Sequence, residues 1–112
     1  MRNQFKFIIG FALAFVIFNV YAIQVYVKTL SNDVAALGFT INGKNYGGMG
    51  KSYIRNNAPA GSYTFGVRVG GIFGDDVGCM TAQGKDSIMI NGNTTAILTY
   101  KGKQCTVKVI NR

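Results

Sequence analysis

From Ile23 onward, apolar and polar residues alternate with a period of two, the pattern of β-strands that bury one face and expose the other. Residues 23–28 (IQVYVK) and 63–69 (YTFGVRV) show it most clearly. No segment in this part of the chain has a long helical period. The strands predicted are 23–30, 37–42, 44–47, 62–69, 77–82 and 86–90, and 94–110 is interpreted as two further strands.

Turn residues separate these strands. Asn42-Gly43 and Asn91-Gly92 each lie between two strand patterns, and Asn-Gly favours a two-residue type I′ hairpin because both turn positions need a positive φ. We expect Gly102, with a lysine on each side, to turn the last hairpin and to pair 95–100 with 105–110. The strand spacing and turn density predict an all-β fold, a small antiparallel β-sandwich of about seven strands (Ig-like or prealbumin-like), with a small barrel as the alternative.

The N-terminus has the layout of a secretory signal peptide. Arg2 and Lys6 precede an apolar run at 7–18, and Val20-Tyr21-Ala22 supplies small or branched residues for cleavage. A membrane anchor is the alternative, but a transmembrane helix needs about 20 apolar residues. We therefore predict a signal peptide at 1–22 and a single exported domain at 23–112, with no transmembrane span in the mature chain. Secretion is the expected destination, and the periplasm is the alternative.

Two cysteines, Cys79 and Cys105, lie in the exported part. Small secreted domains often add a covalent cross-link because their hydrophobic cores are modest. Two cysteines in a chain without histidine do not make a closed zinc site. The sequence therefore predicts one intramolecular disulfide, and no metal or cofactor.

The exported part is basic, with ten lysines and arginines against four aspartates, a net charge of +6. This charge favours either solubility or attraction to an anionic surface. The lysines are dispersed, apart from Lys101 and Lys103 around Gly102, which is typical of solvated strand faces. Export makes nucleic acid an unsuitable partner, so the partners expected are a protein, a glycan or an anionic surface outside the cytoplasm.

The residue types available limit catalysis. The chain has no histidine, and all four of its acids are aspartates, so Ser-His and Cys-His nucleophile pairs are excluded. Acid–base chemistry or a calcium ion would depend on the aspartates, and adjacent residues on a strand point to opposite faces. We predict that the protein is not an enzyme and keep an aspartate-dependent hydrolase as a less favoured class. The carboxylates concerned are Asp33, Asp75, Asp76 and Asp86.

Two glycine-rich segments, 46–55 and 70–78, are the candidate binding loops. The first mixes aromatic and basic side chains, which suits recognition of a glycan or a protein, although tyrosines of an ordinary sandwich look the same. The second carries two large apolar residues, which either cap one end of the fold or form a contact surface. The candidate binding residues are Tyr46, Met49, Lys51, Tyr53, Arg55, Ile72 and Phe73.

The segment PAGSYTFGVRVGG at 59–71, with DSIMINGNTTAILTY at 86–100, resembles the prealbumin-like β-sandwich modules of the PEGA and carboxypeptidase-regulatory type. Those modules share a Pro/Gly turn that enters a strand, and a closing strand. The resemblance implies a binding or scaffold domain. The signal peptide and the Asn/Lys-rich composition also resemble small exported proteins of Gram-negative bacteria.

Together these features predict a small exported, non-enzymatic binding module or secreted factor, of a kind that includes virulence-associated proteins. The alternative is a periplasmic or envelope structural protein that assembles through its strand edges.

Overall fold

The computed structural model describes residues 23–111, and the predicted signal peptide at 1–22 lies outside them. The described residues form nine β-strands and no helix. The strands are β1 (Ile23–Thr29), β2 (Val34–Ile41), β3 (Lys44–Met49), β4 (Ser52–Ala58), β5 (Gly61–Val69), β6 (Asp75–Met80), β7 (Ile88–Ile90), β8 (Thr94–Lys101) and β9 (Gln104–Asn111).

The strands form one mixed sheet in the order β3-β2-β5-β6-β9-β8-β1-β4, with β7 paired to β5 beside this path. The two ends of the order, β3 and β4, follow one another in the chain through Gly50 and Lys51. The sheet therefore curves round until its ends lie close to each other without strand pairing between them, and we call the line between β3 and β4 the seam. The predicted all-β fold is confirmed. The arrangement is a nearly closed barrel-like sheet rather than a clear sandwich of seven strands.

Parallel pairing accounts for much of this difference. β1 pairs in parallel with β8, and β6 pairs in parallel with β9 at two positions. The other neighbours in the strand order are antiparallel. They are the hairpins β2–β3, β5–β6 and β8–β9 and the pairs β2–β5 and β1–β4. The parallel pairs connect segments that are far apart in sequence, so hairpin patterns alone do not reveal them.

A single core fills the interior of the sheet. Its central side chain is Phe39, whose ring lies 5.0 Å from that of Tyr63 and 6.0 Å from that of Phe65. The Tyr63 hydroxyl is buried and donates a hydrogen bond to the Pro59 carbonyl. Burial, followed by the effect of nearby Tyr46, raises the pKa of Tyr63 to about 12. The core also includes Val25, Val27, Leu37, Val67, Ala96 and Leu98.

Two of the three predicted hairpin turns are confirmed. Asn42 and Gly43 have φ of 53° and 76° and join β2 to β3, as a type I′ turn requires. Gly102 and Lys103, with φ of 61° and 66°, turn β8 into β9. The hairpin predicted at Asn91-Gly92 is wrong, because β7 pairs with β5 whereas β8 pairs with β1 and β9.

The predicted disulfide between Cys79 and Cys105 is present. The two residues face each other in the short parallel pairing of β6 with β9, and their Cα atoms are 4.4 Å apart. The bond therefore fastens together the two halves of the sheet where their backbone pairing is shortest.

Strand directions place the connections at two opposite ends. The connections 30–33, 50–51, 70–74 and 102–103 lie at one end, which we call the loop end. The connections 42–43, 59–60, 81–87 and 91–93 lie at the other.

Candidate functional site

Large apolar side chains are exposed at the loop end. Phe73 is 97% exposed and Leu30 is 91% exposed, while Met49 and Ile72 are 68% and 43% exposed. They come from two connections, 30–33 and 70–74, and from the last residue of β3, so three separate parts of the chain deliver them to one end of the sheet. Exposed apolar side chains that share one end of a sheet form a candidate contact surface.

Hydrogen bonds hold the central connections of the loop end together. The Thr29 amide donates to the Lys51 carbonyl at 3.0 Å, and the Gly50 amide donates to the Ala35 carbonyl at 2.8 Å. The Lys51 ammonium donates to the side-chain oxygen of Asn32 at 3.1 Å. These bonds tie the β3–β4 turn to the connection that carries Leu30, so the two are presented as one unit.

The β5–β6 connection has its own support. The guanidinium of Arg68 donates to the Asp76 carboxylate at 2.7 and 3.2 Å and to the Ile72 carbonyl at 3.1 Å. The hydrogen bond and charge of Asp76 raise the pKa of Arg68, and the hydrogen bond from Arg68 lowers the pKa of Asp76. Inside the turn, the Gly74 amide donates to the Gly71 carbonyl at 2.9 Å. This connection therefore has a defined shape and projects Phe73 into solvent.

Exposed lysines accompany the apolar side chains. Lys101 and Lys103 flank the β8–β9 turn, and Lys51 lies in the β3–β4 turn. The Tyr100 amide donates to the Ser31 hydroxyl at 2.9 Å, which attaches the lysine-bearing hairpin to the connection that holds Leu30. The loop end thus combines apolar tips with cationic groups on linked segments.

Four of the seven predicted binding residues, Met49, Lys51, Ile72 and Phe73, come together at the loop end. The sequence analysis missed Leu30, which it placed within a strand over 23–30. The strand ends at Thr29. An apolar residue directly before the polar turn residues Ser31 and Asn32 was the available signal.

The other three predicted binding residues lie at the seam. The rings of Tyr46 and Tyr53 approach Phe39 at 5.7 and 5.9 Å, and the Arg55 guanidinium lies 4.4 Å over the Tyr46 ring. Both tyrosines are partly buried against the core. They and Arg55 therefore pack across the gap between β3 and β4, apart from the exposed tips of the loop end.

The aspartates do not converge. Asp75 and Asp76 are consecutive in β6 and so point to opposite faces of the sheet, and Asp76 is occupied by Arg68. Within residues 23–111, no group of three or more Asp, Cys, His or Glu side chains is arranged to hold a metal ion.

A shallow groove of about 420 Å³ crosses the outer face of β3, β2, β5 and β6. Its floor is a row of glycines in register, Gly47, Gly38, Gly66 and Gly78. A Cβ atom on Gly38 would lie 2.1 Å from the Tyr46 carbonyl oxygen, and one on Gly47 would lie 2.6 Å from the Leu37 carbonyl oxygen. The first two glycines thus allow close approach of strand backbones where the sheet curves. Glycine inside an alternating strand was the signal for this row.

Among residues 23–111 there is no helix with the length and hydrophobicity needed to cross a membrane. The resemblance to prealbumin-like modules stays a prediction. Comparison of the chain with protein-family models, with curated proteins and with solved structures finds no match.

Proposed function

We propose that this protein is a non-enzymatic binding module that acts outside the cytoplasm, and that the loop end is its contact surface. The observation that carries the proposal is the cluster of Leu30, Met49, Ile72 and Phe73 at one end of the sheet. Complete burial of one such side chain at a contact stabilises the complex by about 1.5–3 kcal/mol. Burial of four such side chains would supply about 6–12 kcal/mol, which is comparable with the cost of about 4–15 kcal/mol for the motion lost on association.

The rigidity of the loop end supports the same proposal. Backbone hydrogen bonds hold the β3–β4 turn, and Arg68 holds the Ile72 carbonyl at 3.1 Å. A surface that is already ordered loses less conformational entropy when it binds. The apolar tips are therefore presented in a form suited to recognition.

The disulfide supports a location outside the cytoplasm. Disulfides persist in oxidising compartments and are rare where glutathione and thioredoxin keep thiols reduced. A secreted protein fits this requirement, and a periplasmic one does as well. The described cysteines are both in the bond, and no free cysteine occurs between residues 23 and 111.

The arrangement of the acids supports a binding role over catalysis. General acid–base chemistry needs carboxyl groups that converge on one substrate. Asp76 instead forms an ion pair with Arg68, and Asp75 points to the other face of β6. The carboxylates of Asp75 and Asp76, which an aspartate-dependent hydrolase would use, therefore do not converge on one substrate.

Photo-crosslinking in cells that export the full chain tests the proposed contact surface. A photoreactive phenylalanine analogue replaces Phe73 in one variant. In the control it replaces Met89, which is 70% exposed and lies in β7, away from the loop end. We expect a crosslinked product from position 73 alone, and we expect Leu30→Ser to reduce its yield. Equal products from both positions, or none from position 73, would contradict the proposal.

A structural role through strand edges is the second candidate. Within the described sheet, β3 and β4 each have a hydrogen-bonded strand on one side only, and such edges can accept a strand from another chain. If the protein assembles in this way, amide exchange in 44–58 slows on assembly. Unchanged exchange in these two strands would exclude the candidate.

A further inference from the structure

We infer that the partner of the loop end is the surface of an anionic lipid bilayer. This inference depends on the proposed function, because it names the partner of the same surface. Leu30 and Phe73 enter the boundary between headgroups and acyl chains, and the neighbouring lysines contact lipid phosphates.

The shape of the loop end favours a bilayer over a protein partner. Phe73 and Leu30 are 97% and 91% exposed, so each side chain stands clear of its neighbours on a separate connection. A protein partner would need a matching pocket for each tip, since hot-spot side chains fill well-packed pockets. A bilayer interface accepts apolar groups to a depth of about 5–10 Å without a fixed shape.

The lysines add a modest positive charge to the loop end. Lys51, Lys101 and Lys103 are exposed beside the apolar tips. Asp33 and Asp75 lie at the same end, and Arg68 and Asp76 neutralise each other through their ion pair. The local excess of positive charge is therefore small, and we expect apolar insertion to supply most of the affinity.

Charge over the rest of the molecule acts in the same direction. The chain from Ile23 to Arg112 has a net charge of +6. A basic protein accumulates at an anionic surface, and the attraction weakens as salt screens it. The loop end would then set the orientation of a molecule that is already drawn toward the membrane.

The opposite end provides an internal comparison. Its connections include Asn42-Gly43, Pro59-Ala60 and Asn91-Gly92-Asn93. Its exposed large apolar residues are Met80, Met89 and Ile110, which are 48%, 70% and 45% exposed, and all three lie in strands rather than in turns. The sheet thus has one end with apolar turn tips and one end with polar turns.

Flotation with lipid vesicles tests the inference. The test uses the chain from Ile23 to Arg112, since every described strand, the core and the disulfide lie within it. One set of vesicles contains phosphatidylethanolamine with about 30% phosphatidylglycerol, which gives an anionic surface. The other set is phosphatidylcholine alone. Thermal unfolding of each variant establishes that it is folded.

We expect the wild-type chain to float with the anionic vesicles. Phe73→Ser should lower the partition coefficient about tenfold, because one large apolar group no longer inserts. Leu30→Ser should have a similar effect. Met89→Ser is the matched control, because it removes an exposed apolar side chain far from the loop end, and it should leave the partition coefficient unchanged.

The lysines are tested by a second matched pair. The double variant Lys101→Gln/Lys103→Gln should lower binding to anionic vesicles about 25-fold, since each lysine near such a surface contributes a factor of about five. It should leave any binding to phosphatidylcholine unchanged. Lys44→Gln/Lys85→Gln removes the same charge from the opposite end and should have a much smaller effect.

The two proposals fail in different ways. If position 73 crosslinks to a protein and the purified chain floats with neither vesicle, the lipid inference is overturned and the proposed contact surface stands. If position 73 gives no crosslink of any kind and no vesicle binding occurs, both are overturned. Equal losses of binding from Phe73→Ser and Met89→Ser would also overturn the inference, because binding would not then depend on the loop end.

Discussion

Substitution of Gly38 by alanine offers a sharp test of the fold. Gly38 lies in β2 opposite Gly47 of β3, and a Cβ atom placed on it would be 2.1 Å from the backbone oxygen of Tyr46 and 2.8 Å from the Cα of Gly47. Both atoms belong to the backbone, so no side-chain rotation relieves the overlap. β3 has to retreat by about 1 Å to accept the methyl group.

That movement affects the core as well as the sheet. It lengthens the β2–β3 hydrogen bonds and draws Tyr46 away from Phe39, whose ring is 5.7 Å distant. Overpacking of this kind costs about 1–3 kcal/mol and sometimes more, and a backbone clash belongs at the upper end. We expect Gly38→Ala to lower the free energy of unfolding by about 3 kcal/mol, out of a total of roughly 5–15 kcal/mol for a small domain.

Gly78→Ala is the matched control. Gly78 occupies the same glycine row, yet a Cβ atom placed on it meets nothing within 4 Å. Alanine restricts the unfolded chain more than glycine does, so the expected change lies between zero and a stabilisation of about 1 kcal/mol. Equilibrium unfolding in urea, followed by far-UV circular dichroism without reductant, measures both variants. A loss below about 0.5 kcal/mol for Gly38→Ala, or equal losses for the two, would refute the close approach of β2 and β3.

Three further predictions concern stability. Burial raises the pKa of Tyr63 from 10.0 to about 12, so between these pH values the folded chain keeps a proton that the unfolded chain loses. The resulting contribution to the free energy of unfolding is complete below pH 10.0 and disappears as the pH rises to 12. The wild-type free energy of unfolding should therefore fall relative to that of Tyr63→Phe by about 2 kcal/mol between these limits in pH-dependent urea titrations, and a constant difference would contradict it. Reduction of Cys79–Cys105 should lower the free energy of unfolding by about 3–4 kcal/mol, and no change with reductant would show that the bond does not constrain the chain. Phe65→Ala should lower the free energy of unfolding by about 3–5 kcal/mol, and Phe73→Ala should lower it by less than about 0.5 kcal/mol. Similar melting temperatures for the two variants would contradict the buried position of Phe65 and the exposed position of Phe73.

The features that local sequence determines were predictable. Asn42-Gly43 and Gly102 specify turns through backbone conformations that few other residues adopt, and the hairpins they form are present. The disulfide was predictable because the sequence contains only two cysteines, Cys79 and Cys105. Each inference needed information from a few neighbouring residues or from a simple count.

The closure of the sheet was not predictable in this way. β4 has an almost wholly exposed pattern, because it lies at the seam with a partner on one side only. Its only buried residue is Ala58 at the end of the strand, so the segment shows no period of two and the sequence predicts a loop over 46–55. The sequence likewise predicts a loop over 70–78, whereas β6 begins at Asp75. The parallel pairing of β6 with β9 depends on residues 26 positions apart.

The candidate site was likewise only partly predictable from the sequence. Aromatic residues beside basic ones are typical of a binding loop, but Tyr46 and Tyr53 turn toward Phe39 and join the packing at the seam. Sequence alone does not distinguish these two outcomes, because the register of each strand decides which face a side chain occupies. Phe73 and Ile72 lie outside any alternating pattern, and they reach solvent at the loop end together with Met49 and Lys51.

The asymmetry between the two ends of the sheet is the strongest argument that the loop end has a function. Tight turns in a small β-sheet favour glycine, asparagine or proline, and these make up about half of the connections at either end, but only the loop end adds large apolar residues to them. Leucine, isoleucine and phenylalanine contribute nothing to turn geometry, and their exposure to water favours aggregation. Leu30 and Phe73 add little to the core, since they are 91% and 97% exposed. The isolated chain does not gain the hydrophobic free energy of burying these side chains. That free energy is gained when a second surface covers them, and the folded sheet holds them where one surface can cover them together.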